Sequence, residues 1–130
     1  MFAVATRELS SAVFKCDLDL RGCDLSKLTT WPEKIGGYLD LRGCDLSKLT
    51  KLELPKEIGG SIYLSGCDLS KLTNLELPKE IGGYLDLSGC NLSKLTKWPE
   101  KIGGYLDLRG CDLSKLTKLE KQLKRFQIIR

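Results

Sequence analysis

A Gly-Cys pair returns at regular intervals along this 130-residue chain, placing cysteine at Cys23, Cys44, Cys67, Cys90 and Cys111. The intervals are 21, 23, 23 and 21 residues, and each holds a close copy of the segment that runs from Gly37 through Tyr38-Leu39-Asp40-Leu41-Arg42-Gly43-Cys44 to Thr50. A fixed period of about 20 to 50 residues marks a stacked array, in which no unit can bury its apolar side alone. The longer units insert Leu52-Glu53 and Leu75-Glu76, whereas the shorter ones carry Trp31 and Trp98.

Within a unit the pattern changes twice. Tyr38 to Arg42 alternates polar and apolar residues, the period of a short, half-buried strand. Leu39 and Leu41 are expected to point inward, and Tyr38, Asp40 and Arg42 outward. Cys44, Leu46 and Leu49 then turn the chain away from the strand and line the core. Pro55 and Ile58 begin the return on the opposite side. Gly59-Gly60 resets the chain for the next strand, where glycine permits a tight or positive-φ turn.

Leu39-x-Leu41-x-x-Cys44-x-Leu46 resembles the leucine-rich repeat pattern L-x-L-x-x-(N/C)-x-L. Leu54-Pro55-x-x-Ile58 and Trp31-Pro32-x-x-Ile35 resemble its short bacterial class, which includes secreted effectors of enteric pathogens. The chain departs from the family at Gly36, where a leading leucine is expected; Ile35 stands one place earlier. The resemblance implies an α/β-type solenoid: a leucine-rich repeat stack of about five turns, with a parallel sheet on one face, mostly irregular return segments and short terminal caps. Residues 1–13 are then an N-terminal cap, 14–118 the solenoid and 119–130 a basic C-terminal cap or tail. A square β-helix of the pentapeptide kind is the alternative, because Cys44-Asp45-Leu46-Ser47 fits it locally, but Lys51 to Gly60 lacks the five-residue pattern.

Terminal turns of a stack expose apolar edges. Phe2, Leu9, Val13 and Phe14 supply a lid at the front, with Thr6 as a cap. At the back, Leu119, Leu123 and Phe126 follow helical spacing, and Glu120 precedes Lys124 by one turn. The alternative is a sixth strand over Phe126-Gln127-Ile128-Ile129, whose open edge would invite a second copy to form a homodimer.

Stacking turns outward residues into columns about 4.8 Å apart. The first is Asp17, Tyr38, Ser61, Tyr84, Tyr105; the second is Asp19, Asp40, Tyr63, Asp86, Asp107; the third is Arg21, Arg42, Ser65, Ser88, Arg109. A fourth, Asp24, Asp45, Asp68, Asn91, Asp112, follows the glycine. Aspartates at this spacing repel, and the arginines between the two acidic columns offset the repulsion, which describes a self-neutralising solvated face. Tyrosine and arginine are also the residues favoured at binding hot spots. Tyr38, Tyr63, Tyr84, Tyr105, Arg21, Arg42, Arg109, Asp40, Asp86 and Asp107 are therefore the candidate partner-binding residues.

The net charge of +4 resides in the tail, where Lys118, Lys121, Lys124, Arg125 and Arg130 oppose Glu120. The repeat body is neutral, so no uniformly basic surface for nucleic acid is expected. Lys121, Lys124, Arg125 and Phe126 are the tail candidates. The column Lys27, Lys48, Lys71, Lys94, Lys115 has glutamates nearby and no interleaved aromatics, and it reads as a face that keeps the stack in solution. The chain has no histidine, which excludes His-based acid–base catalysis and His-ligated metal sites. The five repeat cysteines sit at the position that the leucine-rich repeat resemblance turns inward, which implies a ladder of reduced, buried thiols; C-x-x-C metal spacing is missing and parallel side chains disfavour disulfides. Cys16 falls off this ladder and reads as an inert cap thiol.

The expected function is non-enzymatic: a protein–protein interaction module that occludes a partner protein, with no cofactor. By the family resemblance this would be a bacterial or phage effector or inhibitor. The alternative is binding to an anionic surface or nucleic acid through the tail and the lysine column. No apolar run spans a membrane and no signal peptide precedes the repeats, so a cytoplasmic protein or one exported without a leader is expected.

Overall fold

The structure is a computed structural model that describes residues 13–28, 31–49, 51–93, 95, 97–114 and 126–130. The strands, numbered in chain order, fall into three parallel sheets. The alternating segments form a front sheet of β2 (Leu18–Asp19), β4 (Leu39–Asp40), β7 (Ile62–Tyr63), β10 (Leu85–Asp86), β12 (Tyr105–Asp107) and β13 (Gln127–Ile129), stacked in chain order. The back sheet comprises β1 (Val13–Phe14), β3 (Lys34–Ile35), β6 (Glu57–Ile58), β9 (Glu80–Ile81) and β11 (Lys101–Ile102). A third, two-stranded sheet pairs β5 (Lys51–Glu53) with β8 (Asn74–Glu76).

The chain is thus a parallel β-solenoid of about 4 turns. The register places Leu18, Leu39, Ile62, Leu85, Leu106 and Ile128 in one row. The first five of these are completely buried, as are Leu20, Leu41, Leu64 and Leu87 in the next inward row. Ile35, Ile58 and Ile81 oppose them from the back sheet. Full burial of each such side chain is worth about 1.5–3 kcal/mol, so the continuous core holds the turns together.

The expected stack is met in part. The α/β assignment is not confirmed, because helix is almost absent among the described residues, where a 3-10 turn covers Leu25–Lys27. The return segments are mostly irregular, and the short strands they carry form the second and third sheets. The stack has about four turns rather than five. The tail alternatives resolve in part, since β13 is a sixth front strand that pairs in parallel with β12. The proposed helix from Leu119, the N-terminal lid and the tail candidates Lys121, Lys124 and Arg125 lie outside the described residues. Phe126 is half-buried against the core. Among the described residues no helix is long and apolar enough to cross a membrane.

The two kinds of glycine exchange their expected roles. Positive φ occurs at the glycine before each repeat cysteine, as at Gly66 with φ 74, and not at the Gly-Gly pair. There the front strand must reverse abruptly, and glycine reaches the left-handed region without a Cβ clash. The Gly-Gly pair serves close approach instead. A Cβ on Gly82 would strike the backbone carbonyl of Gly59 in the preceding turn.

The two unit lengths also acquire a cause. The Leu-Glu inserts form β5 and β8, and their apolar members Leu52 and Leu75 are buried. Trp98 stands where the longer turns have Leu54 and Leu77, and it is buried in the same cluster. Its indole supplies in one side chain volume that Leu and an inserted Leu supply elsewhere.

Candidate functional site

The front sheet brings the four sequence columns together on one strip. Tyr84 and Tyr105 are exposed, at 48% and 44%, whereas Tyr38 and Tyr63 are half-buried. The rings pair across neighbouring turns. Tyr38 and Tyr63 meet edge-on with centroids 6.1 Å apart, and Tyr84 and Tyr105 are tilted at 5.7 Å. Both separations lie in the attractive range for aromatic pairs. The Arg42 guanidinium also sits 5.1 Å from the Tyr63 ring centre, close enough for a cation–π contact.

The acidic column is not a row of open carboxylates, contrary to expectation. Asp40 and Asp107 are buried, at 3% and 8% exposure. Each aspartate accepts the backbone N–H two residues on and is clamped by the arginine there. Arg42 donates from Nε at 2.9 Å and from its terminal nitrogen at 2.6 Å to Asp40. Arg109 binds Asp107 at 3.0 and 2.7 Å, and Arg21 binds Asp19 at 2.9 and 2.8 Å. These are fork-to-fork pairs, the strongest ion-pair geometry available. Their bonds hold the Asp19 and Asp107 carboxyls below the usual range and push the guanidiniums up. Arg21 reaches further, to Asp40 of the next turn at 3.6 Å. Alternation alone could not reveal this, because an i,i+2 clamp folds both outward side chains down over the sheet.

The middle turns break the rule. Position 65 and position 88 are serine, and the Asp of the third turn is Tyr63. Asp86 accepts the Ser88 backbone N–H at 3.0 Å and its hydroxyl at 2.6 Å, both on Oδ1. The Ser65 hydroxyl lies 3.0 Å from that of Ser88 and donates to it, because the one Ser88 hydroxyl proton goes to Asp86.

The other columns are structural. Asp45, Asp68, Asn91 and Asp112 each accept the backbone N–H two residues later, at 2.9–3.0 Å. Asn91 does this as well as its acidic equivalents, so the column needs an oxygen and not a charge. Asp17 Oδ1 accepts the Tyr38 N–H, and the Ser61 hydroxyl accepts the Tyr84 N–H, both at 2.9 Å.

The cysteine ladder has a precise bonding role. Cys44, Cys67, Cys90 and Cys111 each donate a thiol hydrogen bond, at 2.9–3.1 Å, to a carbonyl of the preceding turn. All six cysteines are free; Cys44, Cys67 and Cys90 are buried, Cys16 is exposed, and Cys23 and Cys111, at the ends of the ladder, are only half-buried, contrary to the expectation of five buried thiols. Burial pushes the Cys44 thiol up to about 11 and the Cys90 thiol up to about 12, which makes them poor nucleophiles.

On the lysine flank, Lys48, Lys71, Lys51 and Lys97 are exposed, and Lys51 pairs with Glu53 at 3.2 Å. The Lys27 side chain, Lys94, Lys115 and Lys118 lie outside the described residues. A cleft of about 550 Å3 opens on the third side, where Trp31, Leu28 and Leu49 meet Leu52 and Leu54. A groove of about 600 Å3 follows the back-sheet corner over Gly59, Gly82 and Gly103. Among the described residues no three His, Cys, Asp or Glu side chains gather to hold a metal.

No family profile, no curated protein and no solved structure matches this chain.

Proposed function

We propose that the protein is a non-enzymatic binding module that recognises a partner protein through its front sheet. The observation that carries this reading is the paired tyrosine strip, in which Tyr84 and Tyr105 keep large exposed rings on a rigid parallel sheet. Rings fixed in place lose little freedom on binding, which is why such residues dominate interface energetics. The leucine-rich repeat resemblance belongs to the same proposal: it rests on Leu39-x-Leu41-x-x-Cys44-x-Leu46 and its recurrences, and on it the effector or inhibitor role depends.

Size restricts the mode of binding. Five strands at about 4.8 Å, each showing about 10 Å, expose a strip on the order of 250 Å2. A standard interface takes about 800 Å2 from each partner, so a flank must join the strip. The third-side cleft and the corner groove supply concave surface for this. A homodimer through β13, the last strand of the front sheet, is a secondary proposal. Binding to an anionic surface has less support. Lys34, Lys51 and Lys101 are paired with Glu57, Glu53 and Glu80, which offsets their charge.

A photoreactive phenylalanine analogue placed at Tyr84, and separately at Lys79 on the back, tests the reading in the native cellular lysate. A discrete adduct is expected from position 84 and not from 79, and it should vanish when Tyr38 and Tyr105 are both changed to Ala. Identical adducts from both faces, or adducts indifferent to the tyrosines, would sink the proposal. Circular dichroism establishes that the variants keep the β-solenoid.

A further inference from the structure

The repeat provides its own reference for what a front-face aspartate binds. In three turns the carboxylate is held by an arginine two residues later: Asp19 by Arg21, Asp40 by Arg42, and Asp107 by Arg109. Asp40 shows a second source as well, because Arg21 of the preceding turn approaches it at 3.6 Å. An aspartate in this column therefore has two guanidinium positions, one from its own turn and one from the turn before.

For Asp86 both positions are serine. Ser88 replaces the arginine of its own turn, and Ser65 replaces the arginine of the turn before. Only Oδ1 is engaged, by the Ser88 N–H and hydroxyl. Among the described residues no cation lies within ion-pairing distance of it. Arg109 of the next turn is committed to Asp107 through both its Nε and its terminal nitrogen, and it acts on Asp86 only at longer range, through its charge. Asp86 is half-buried, and the two positions that carry arginine in other turns hold Ser65 and Ser88, whose hydroxyls lie 3.0 Å apart. Tyr63 is its register partner on one side, and Tyr84 and Tyr105 rise beside it.

A half-buried carboxylate that lacks the guanidinium fork of its equivalents can gain a charge-assisted pair from a fitting cation. The fork geometry seen three times in the same sheet identifies that cation as planar and bidentate, which favours guanidinium over ammonium. We infer that Asp86, Ser65 and Ser88 form a receptor for an arginine side chain of the partner protein, entering the place that the chain's own arginines fill in the neighbouring turns. This inference rests on the front-face reading of the previous subsection and names what that face selects.

The test is a titration of the full 15N-labelled chain with N-acetyl-arginine amide, and in parallel with N-acetyl-lysine amide. Saturable shifts are expected at the Ser65, Asp86 and Ser88 amides, with arginine favoured. Affinity should fall about tenfold or more in Asp86→Asn, the loss that one charge-assisted pair represents. Asparagine can still accept the Ser88 N–H, so this variant keeps the fold. Ser88→Arg, which restores the internal clamp, should abolish the shifts and leave the sheet intact. An unsaturable titration, equal response to both probes, or an unchanged response in both variants would overturn the inference.

The cross-linking assay separates this outcome from failure of the broader reading. Loss of the position-84 adduct in Ser88→Arg supports the arginine receptor. Persistence of the adduct overturns the receptor and leaves the front-face module standing. If the wild-type chain gives no adduct, the module fails, and the arginine titration alone decides the receptor. Concentration-dependent dimers that dissolve in Asp86→Asn would make a second copy the occupant and overturn the assignment to a partner protein.

Discussion

At the scale of single residues, two glycines separate backbone conformation from space. Gly66 has φ 74 with nothing near its missing Cβ, whereas the space beside Gly82 is occupied by the Gly59 carbonyl. Gly66→Ala should cost about 1–2 kcal/mol through left-handed strain, and Gly66→Asn should recover part of it, since asparagine tolerates that region. Gly82→Ala should cost about 1–3 kcal/mol through overpacking, and Gly82→Asn should be worse. Chemical denaturation of the four variants checks this; rescue by asparagine at both sites would mean that conformation rules both. Neither role was legible in the sequence, where both glycines simply punctuate a turn. The inward placement of Cys44, Cys67 and Cys90 was legible through the resemblance to the leucine-rich repeat pattern. The carbonyl each thiol would find was not, since it belongs to the preceding turn.

Elements divide in the same way. The front strands were readable because Tyr38–Arg42 is long enough to alternate. Back strands such as Lys34–Ile35 are two residues long, and no period can be counted in them. Their order comes from stacking, which repeats one good hydrogen-bond geometry in every turn. The third sheet was visible only as an insertion of Leu52-Glu53 whose conformation had no local signal. Of the candidate site, the tyrosine strip was readable, and the arginine clamps that hide Asp40 and Asp107 were not. The third sheet exists only where two long units adjoin, which allows a direct experiment. Inserting Leu-Glu ahead of Trp98, together with Trp98→Leu, should add a strand beside β8. In a parallel ladder alternate residues face opposite neighbours, and Leu75 directs its amide away from β5. Hydrogen exchange at Leu75 should slow by about tenfold or more; unchanged exchange would show that Trp98, not unit length, sets the edge.

The whole molecule should be insensitive to pH across a wide middle range, for there is no histidine to titrate there. On the acid side, Asp19, Asp45, Asp68 and Asp107 are all held below an ordinary value of 3.8 by hydrogen bonds from Arg21, Ser47, Ser70 and Arg109. The folded state prefers the charged form, so this stability is present above 3.8 and is lost as pH falls through the lowered values. On the alkaline side, Cys44 and Cys90 rise from 9.0 to about 11 and about 12. The folded state prefers the protonated form, so this stability is present below 9.0 and is lost as pH rises toward the folded values. Calorimetric melts should give a Tm plateau between about pH 5 and 8 with a fall on either side. Cys90→Ser, which keeps a donor and removes the titration, should make the alkaline fall shallower. A Tm that changes steeply inside the plateau would contradict the bonding described for these groups.

Near-identical turns carry a hazard that the two unit lengths answer. A folding chain whose first turn resembles its fourth has several docking partners of almost equal merit, and a strand laid one whole turn out of place would still bury leucine against leucine. The β5–β8 patch is the feature such an error cannot reproduce. Only the second and third return segments are long enough to pair there, and a misplaced turn would set a tryptophan against an inserted leucine. The 21, 23, 23, 21 rhythm therefore works as a key cut into an otherwise uniform column, giving every turn one address in the stack.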